Sequence, residues 1–248
     1  MSFFEAILLG IVQGLTEFFP VSSSAHLKLA KHFLSVSDEL YFDLLCHFGT
    51  LIALIFYLRR DILNILCSPK KILLYSLALF PLIPAYFFLK PLRDLASHPS
   101  YLGYALLFTS LLLFLASQKK VEVPKEKKWS GVLFIGVMQT MALIPGISRS
   151  GSTISAARFL GWDWREAAKF SFLLAVPTIL GGEILETWKN PPTQHLPLSC
   201  YLAGFLASLS LGLFSVRFVF SIYEKGKVRP FAWYCLGVGI FAWMAFNG

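Results

Sequence analysis

Apolar residues gather in six long runs, at 40–58, 72–89, 101–117, 170–187, 198–222 and 231–247, each close to the ~20 residues a helix needs to cross a bilayer core. Two further apolar stretches, 3–21 and 130–145, break differently. Each runs into a proline and a cluster of polar residues, then continues as a short mixed segment, near 25–34 and 153–161. This pattern predicts two re-entrant helical hairpins beside six transmembrane helices. Irregular polar backbone is tolerated at membrane depth only where protein or a wet cavity surrounds it, so two such hairpins imply a shared cavity.

The two stretches also repeat each other. Gly10, Gln13 and Ser22 recur as Gly136, Gln139 and Ser148 at an offset of 126, and Phe42 to Thr50 is matched by Phe170 to Thr178 at an offset of 128. Each half, about 1–120 and about 128–248, then holds one hairpin and three spans within a single integral-membrane domain of residues 1–248. An odd number of spans turns the second copy over, so the expected fold is all-α and polytopic with an inverted-topology repeat, its functional groups meeting near the midplane.

Charge orients this arrangement. If the first hairpin enters from outside, the inner loops hold Arg59, Arg60, Lys70, Lys71, Lys119, Lys120, Lys125, Lys127, Lys128, Arg165, Lys169, Lys225, Lys227 and Arg229, and the outer loops only Lys28, Lys31, Lys90, Arg93 and Lys189. That asymmetry satisfies the positive-inside rule and puts both termini outside. Composition agrees: 56% of residues are hydrophobic, 15% are charged, and the mean hydropathy is +0.65. The net charge of +8 lies in short loops without interleaved aromatics, so no nucleic-acid partner is expected. Four scattered cysteines show no CxxC spacing and read as packing residues. The N-terminus lacks the basic region and cleavage site of a signal peptide, so the first segment is expected to stay in the mature protein.

Ionisable groups at membrane depth point to function. Ser148, Arg149 and Ser150 follow the Pro145-Gly146 turn and open a short helix, a setting that suits an anion: the guanidinium grips two oxygens while Ser148, Ser150, Ser152 and Thr153 donate further bonds. Glu17 and His26 supply groups able to move protons, with Ser22, Ser23 and Ser24 between them at the bend. Gln13, one helical turn before Glu17, faces the same side. A plain Arg149–Glu17 ion pair is the competing structural use. Asp43 and His47, one helical turn apart, either line the cavity or pair with each other; Glu183 with Glu186 reads as a solvated face, Arg158 as snorkelling or supporting the second hairpin, and Pro177 as a kink.

At Gln13 to His26 and Pro145 to Thr153 the chain resembles the undecaprenyl-diphosphate phosphatase family, also called bacitracin-resistance proteins; Phe170 to Pro177 carries a further match. The resemblance implies hydrolysis of the C55 isoprenoid diphosphate to its monophosphate in the bacterial plasma (inner) membrane, recycling the lipid carrier for cell-wall synthesis and conferring bacitracin resistance, with a site open to the outer, periplasmic face. Glu17 and His26 then match the family's catalytic acid and histidine, Arg149 its phosphate-binding arginine, and Ser22, Ser23, Ser148 and Thr153 its hydroxyl ligands. Where many relatives have glutamate this chain has Gln13. A single carboxylate there argues against a protein-held metal cage and leaves any Mg²⁺ or Ca²⁺ to be carried by the diphosphate, with no tightly bound cofactor. The expected partners are the polyprenyl diphosphate and membrane lipids. The attacker stays open among water, His26 and Ser23, and oligomeric state is not legible. The rival from another class is a lipid-phosphate transporter or flippase of the same architecture.

Overall fold

The computed structural model describes residues 1–119, 128–189 and 196–247, and among these there is helix but no strand. Lys120, Lys125 and Lys127 of the expected inner loop lie outside them. The first hairpin pairs α1 (Phe3–Thr16) with α2 (Ser23–Leu34) and is followed by α3 (Leu40–Leu66), α4 (Pro69–Leu79), α5 (Leu82–Phe88), α6 (Lys90–Ala96) and α7 (Leu102–Gln118). The second pairs α8 (Trp129–Thr140) with α9 (Arg149–Phe159), followed by α10 (Trp164–Lys189), α11 (Leu198–Glu224) and α12 (Arg229–Asn247).

Among the described residues six segments are long and apolar enough to cross a membrane: Leu40–Leu66, Pro69–Phe88, Pro99–Gln118, Trp164–Lys189, Leu198–Glu224 and Arg229–Asn247. The protein is therefore a multi-pass membrane protein. At 14 residues α1 is about 21 Å long, short of the ~30 Å hydrocarbon core, and α8 is shorter still, so neither hairpin arm spans. The outward faces carry the apolar side chains a bilayer covers, among them Phe4, Phe88, Trp188 and Leu198. A mixed core of Phe18, Leu54, Ile135, Ile154, Phe172 and Val216 joins hairpins to spans. Within it Phe18 meets Phe172 edge to face at 5.9 Å.

One detail differs from the pattern of apolar runs. The second span is broken between α4 and α5 at Phe80-Pro81, where proline withholds the N–H that would continue the ladder. Pro177 lies inside α10, and Thr178 Oγ1 donates to the Leu174 carbonyl at 2.8 Å beside it.

The hairpins are seated by glycines. A Cβ at Gly10 of α1 would strike the Gly204 carbonyl oxygen of α11, and one at Gly136 of α8 would strike the Ala78 carbonyl oxygen of α4. The two contacts are related by the offset of 126: Gly136 is the counterpart of Gly10, and Gly204 that of Ala78. Because the obstacle is backbone, a larger residue must push a helix aside. Gly10→Leu and Gly136→Leu are each expected to destabilise the fold by about 1–3 kcal/mol, read as a lower thermal midpoint in detergent.

Candidate active site

The chain leaves α1 at Thr16 and turns through Pro20, placing Glu17 at the helix end and nearly burying it. Ser22 closes the turn at φ 68°, ψ 93°, a conformation L-residues rarely adopt, and caps α2 by accepting from the Ala25 N–H at 3.4 Å. Strain of about 1–3 kcal/mol is held at this bend. Ser22→Gly is accordingly expected to raise the thermal midpoint, because glycine relieves the φ at a capping loss of only a few tenths of a kcal/mol. The next residue, Ser23, donates from Oγ to Glu17 Oε2 at 2.7 Å, and Gln13 Nε2 donates to the same oxygen at 3.0 Å.

The second jaw turns at Gly146, whose φ of 95° follows Pro145. Ser148 then caps α9: its Oγ accepts from the Gly151 N–H at 3.0 Å while its own N–H donates to Thr109 Oγ1 at 3.1 Å. That brace on α7 fixes where α9 begins. Ser150 Oγ reaches across to the Phe19 carbonyl at 3.2 Å, and Arg149 Nη2 donates to Glu17 Oε1 at 2.8 Å, so the jaws touch at an ion pair and a hydroxyl. Arg149 Nη1 is buried with no partner among the described residues.

Between the jaws lies a cavity of about 210 Å³ lined on its polar side by Glu17, Ser22, Ser23, Ser24, His47, Ser148, Arg149 and Ser150, and on its apolar side by Phe19, Ala142, Ile147 and Ile179. It has room for phosphate groups, not for a long lipid tail. The expected site residues distribute unequally around it. Gln13 is fully buried behind Glu17, and Thr153 stands behind Arg149, bonded to the Arg149 carbonyl at 2.9 Å and to Ser171 Oγ at 2.6 Å.

His26 does not line the cavity. Its Nδ1 donates to the Ser22 carbonyl at 2.8 Å, so Nε2 is the acceptor and takes the Tyr234 hydroxyl at 2.8 Å, with the two rings stacked at 5.5 Å. The imidazole that does line it is His47, which takes the first of the two uses that its place one turn from Asp43 allows. Asp43 is taken instead by Lys31 at 2.6 Å, and His47 Nδ1 sits 2.9 Å from Gln13 Nε2 and 3.5 Å from Glu17 Oε2. A signal existed: at the offset of 128 the counterpart of His47 is Ala175, so a polar group stands in one copy where the other is apolar. Glu183, expected on a solvated face, has a buried Oε1 without a partner among the described residues. Arg158 does brace the second hairpin, donating to the carbonyls of Trp162 and Lys119 beneath Trp164.

Both Glu17 oxygens already accept bonds, and among the described residues no three His, Cys, Asp or Glu side chains converge as a cage.

The chain matches the family described as Bacitracin resistance protein BacA over residues 6–241, a range that contains both jaws. It is 42% identical to an undecaprenyl-diphosphatase of Protochlamydia amoebophila over 97% of each chain. It is 40% identical to one of Halothermothrix orenii and 37% identical to one of Carboxydothermus hydrogenoformans, each over 97% of this chain and 96% of the relative. Identity at that level, running end to end through both hairpins and all six spans, makes this chain a member of the bacitracin resistance protein BacA family.

Proposed function

We propose that the protein removes the terminal phosphate of undecaprenyl diphosphate, giving undecaprenyl phosphate and inorganic phosphate. The observation that carries this reading is Arg149: a guanidinium held by one carboxylate, with Nη1 unpartnered and a cavity of phosphate size in front of it. The relatives' shared name, that of an enzyme acting on this lipid, supports the same substrate and gives the transporter reading no support.

In this mechanism the diphosphate draws Arg149 towards its oxygens, and Glu17, relieved of its cation, becomes free to take a proton. The group whose proton already points at Glu17 is Ser23, at 2.7 Å. Ser23 Oγ attacks the terminal phosphorus as Glu17 takes its proton. The bond to the bridging oxygen breaks, and the lipid monophosphate leaves with that electron pair. Glu17 passes that proton to the departing monophosphate and, ionised again, takes one from water, whose oxygen attacks the phosphoserine phosphorus; the bond to Ser23 Oγ breaks and Glu17 returns the proton to that oxygen. Arg149 and the N–H groups at the start of α9 stabilise the charge on the phosphoryl oxygens. His26 supports the bend from outside, through the Ser22 carbonyl. Rapid quenching with substrate labelled in its terminal phosphate is expected to trap an acid-stable phosphoserine at Ser23; direct hydrolysis by water would leave none.

The same reading places the protein in the bacterial plasma membrane with the cavity towards the periplasmic face, supported by the loop charges. The inverted repeat of about 1–120 and about 128–248 is supported by the exchanged contacts of Gly10 with Gly204 and Gly136 with Ala78. Because hydrolysis needs no second compartment, the assay belongs in detergent micelles. Phosphate release there is expected at the wild-type rate of the membrane-bound protein, whereas a transporter would release none.

A further inference from the structure

The imidazole on the cavity wall has no work in the mechanism above. α3 carries His47 to the edge of the site beside Glu17, where 25% of its side chain stays accessible. An amide nitrogen only donates, so Gln13 Nε2, 2.9 Å away, makes His47 Nδ1 an acceptor and puts the ring proton on Nε2. The amide cannot be turned over at no cost: its other N–H holds Glu17 Oε2 at 3.0 Å, and reversal would set a carbonyl oxygen against that carboxylate. No group among the described residues bonds His47 Nε2, whereas both nitrogens of His26 are occupied. The site thus presents one available imidazole N–H, in a tautomer fixed by a residue one turn from Glu17.

We infer that His47 is a catalytic residue whose Nε2–H donates to the phosphoryl group in transfer, across the cavity from Arg149, with Gln13 as the positioning residue that fixes the tautomer. This rests on the reading of the cavity as a diphosphate site. His47 keeps its proton throughout. As the bond from the attacking oxygen to phosphorus forms and the bond to the bridging oxygen breaks, Nε2–H offsets charge on the non-bridging oxygens, an interaction that strengthens in the transition state and therefore registers in kcat more than in KM.

The test uses the full chain in detergent with undecaprenyl diphosphate. His47→Phe keeps a flat ring and removes the donor, and is expected to lower kcat by roughly 10²-fold with KM changed less than about threefold. His47→Gln retains an N–H donor and is expected to recover kcat to within about tenfold of wild type. Nitrogen-15 spectra of the ring are expected to show the proton on Nε2. If both variants fall equally, or if the ring is protonated on Nδ1 alone, His47 has a structural part only and the inference is overturned. If His47→Phe turns over normally while Arg149→Ala is inactive, the inference fails and the diphosphate reading stands; if Arg149→Ala is also active, it is that reading which has failed.

Discussion

Replacing Arg149 with alanine is expected to lower phosphate release from undecaprenyl diphosphate by at least about 10²-fold. Among the described residues Arg149 is the one arginine or lysine lining the cavity and the only side chain that joins the two jaws as an ion pair. Removing it takes away the grip on the phosphates and also leaves Glu17 nearly buried with only neutral donors, from Gln13 and Ser23. Losing one partner of such a pair typically costs about 3–5 kcal/mol, so the fold must be checked alongside the rate. Arg149→Lys separates the two effects. A lysine keeps the charge and much of the stability, but as a point donor it cannot span two phosphate oxygens. It is expected to restore the thermal midpoint far more than the activity. Steady-state phosphate release and thermal unfolding, measured on the same detergent preparations, check both halves.

Glu17→Gln is expected to act through chemistry at almost constant shape. The amide oxygen still accepts from Arg149, but no group remains to take a proton from Ser23, so turnover should fall by at least about 10²-fold. The same change leaves Arg149 buried without a counter-charge. An anion that enters the cavity replaces the missing carboxylate, which gives a second, opposite-signed expectation: inorganic pyrophosphate should raise the thermal midpoint of Glu17→Gln more than that of the wild-type protein, where it must first compete with Glu17 for the guanidinium. Loss of activity with no gain in anion stabilisation would show that Glu17 is not the lock on Arg149.

Much of this architecture is legible in the sequence because the bilayer imposes it. A span requires ~20 apolar residues, and the runs at 40–58 and 198–222 meet that condition whatever their neighbours are. The hairpins are legible for the complementary reason: Pro20 with three serines, and Pro145-Gly146 with Ser-Arg-Ser, belong at membrane depth only beside a cavity. That logic also brings Glu17 and Arg149 together across 132 residues of chain, and the 2.8 Å pair shows them joined.

What the sequence does not carry is sideways direction. His26 lies on α2 beside the serines, yet it is aimed at Tyr234 on α12, a partner 208 residues away that no local period reveals. Lys31 counts among outer-loop charges, but its side chain is buried between Asp38 and Asp43, which removes Asp43 from His47 and leaves the imidazole free for the cavity. The break at Pro81 falls inside one continuous apolar run, where hydropathy gives no sign of it.

The account turns on a hydrolysis that needs both jaws, and phosphorus-31 spectra of undecaprenyl diphosphate in micelles with the purified protein test it most directly. The diphosphate signals should decay while monoester and inorganic phosphate signals grow in equal amount, and Arg149→Ala should leave the diphosphate intact over the same period. Unchanged diphosphate with active wild-type protein, or equal conversion by Arg149→Ala, would contradict it.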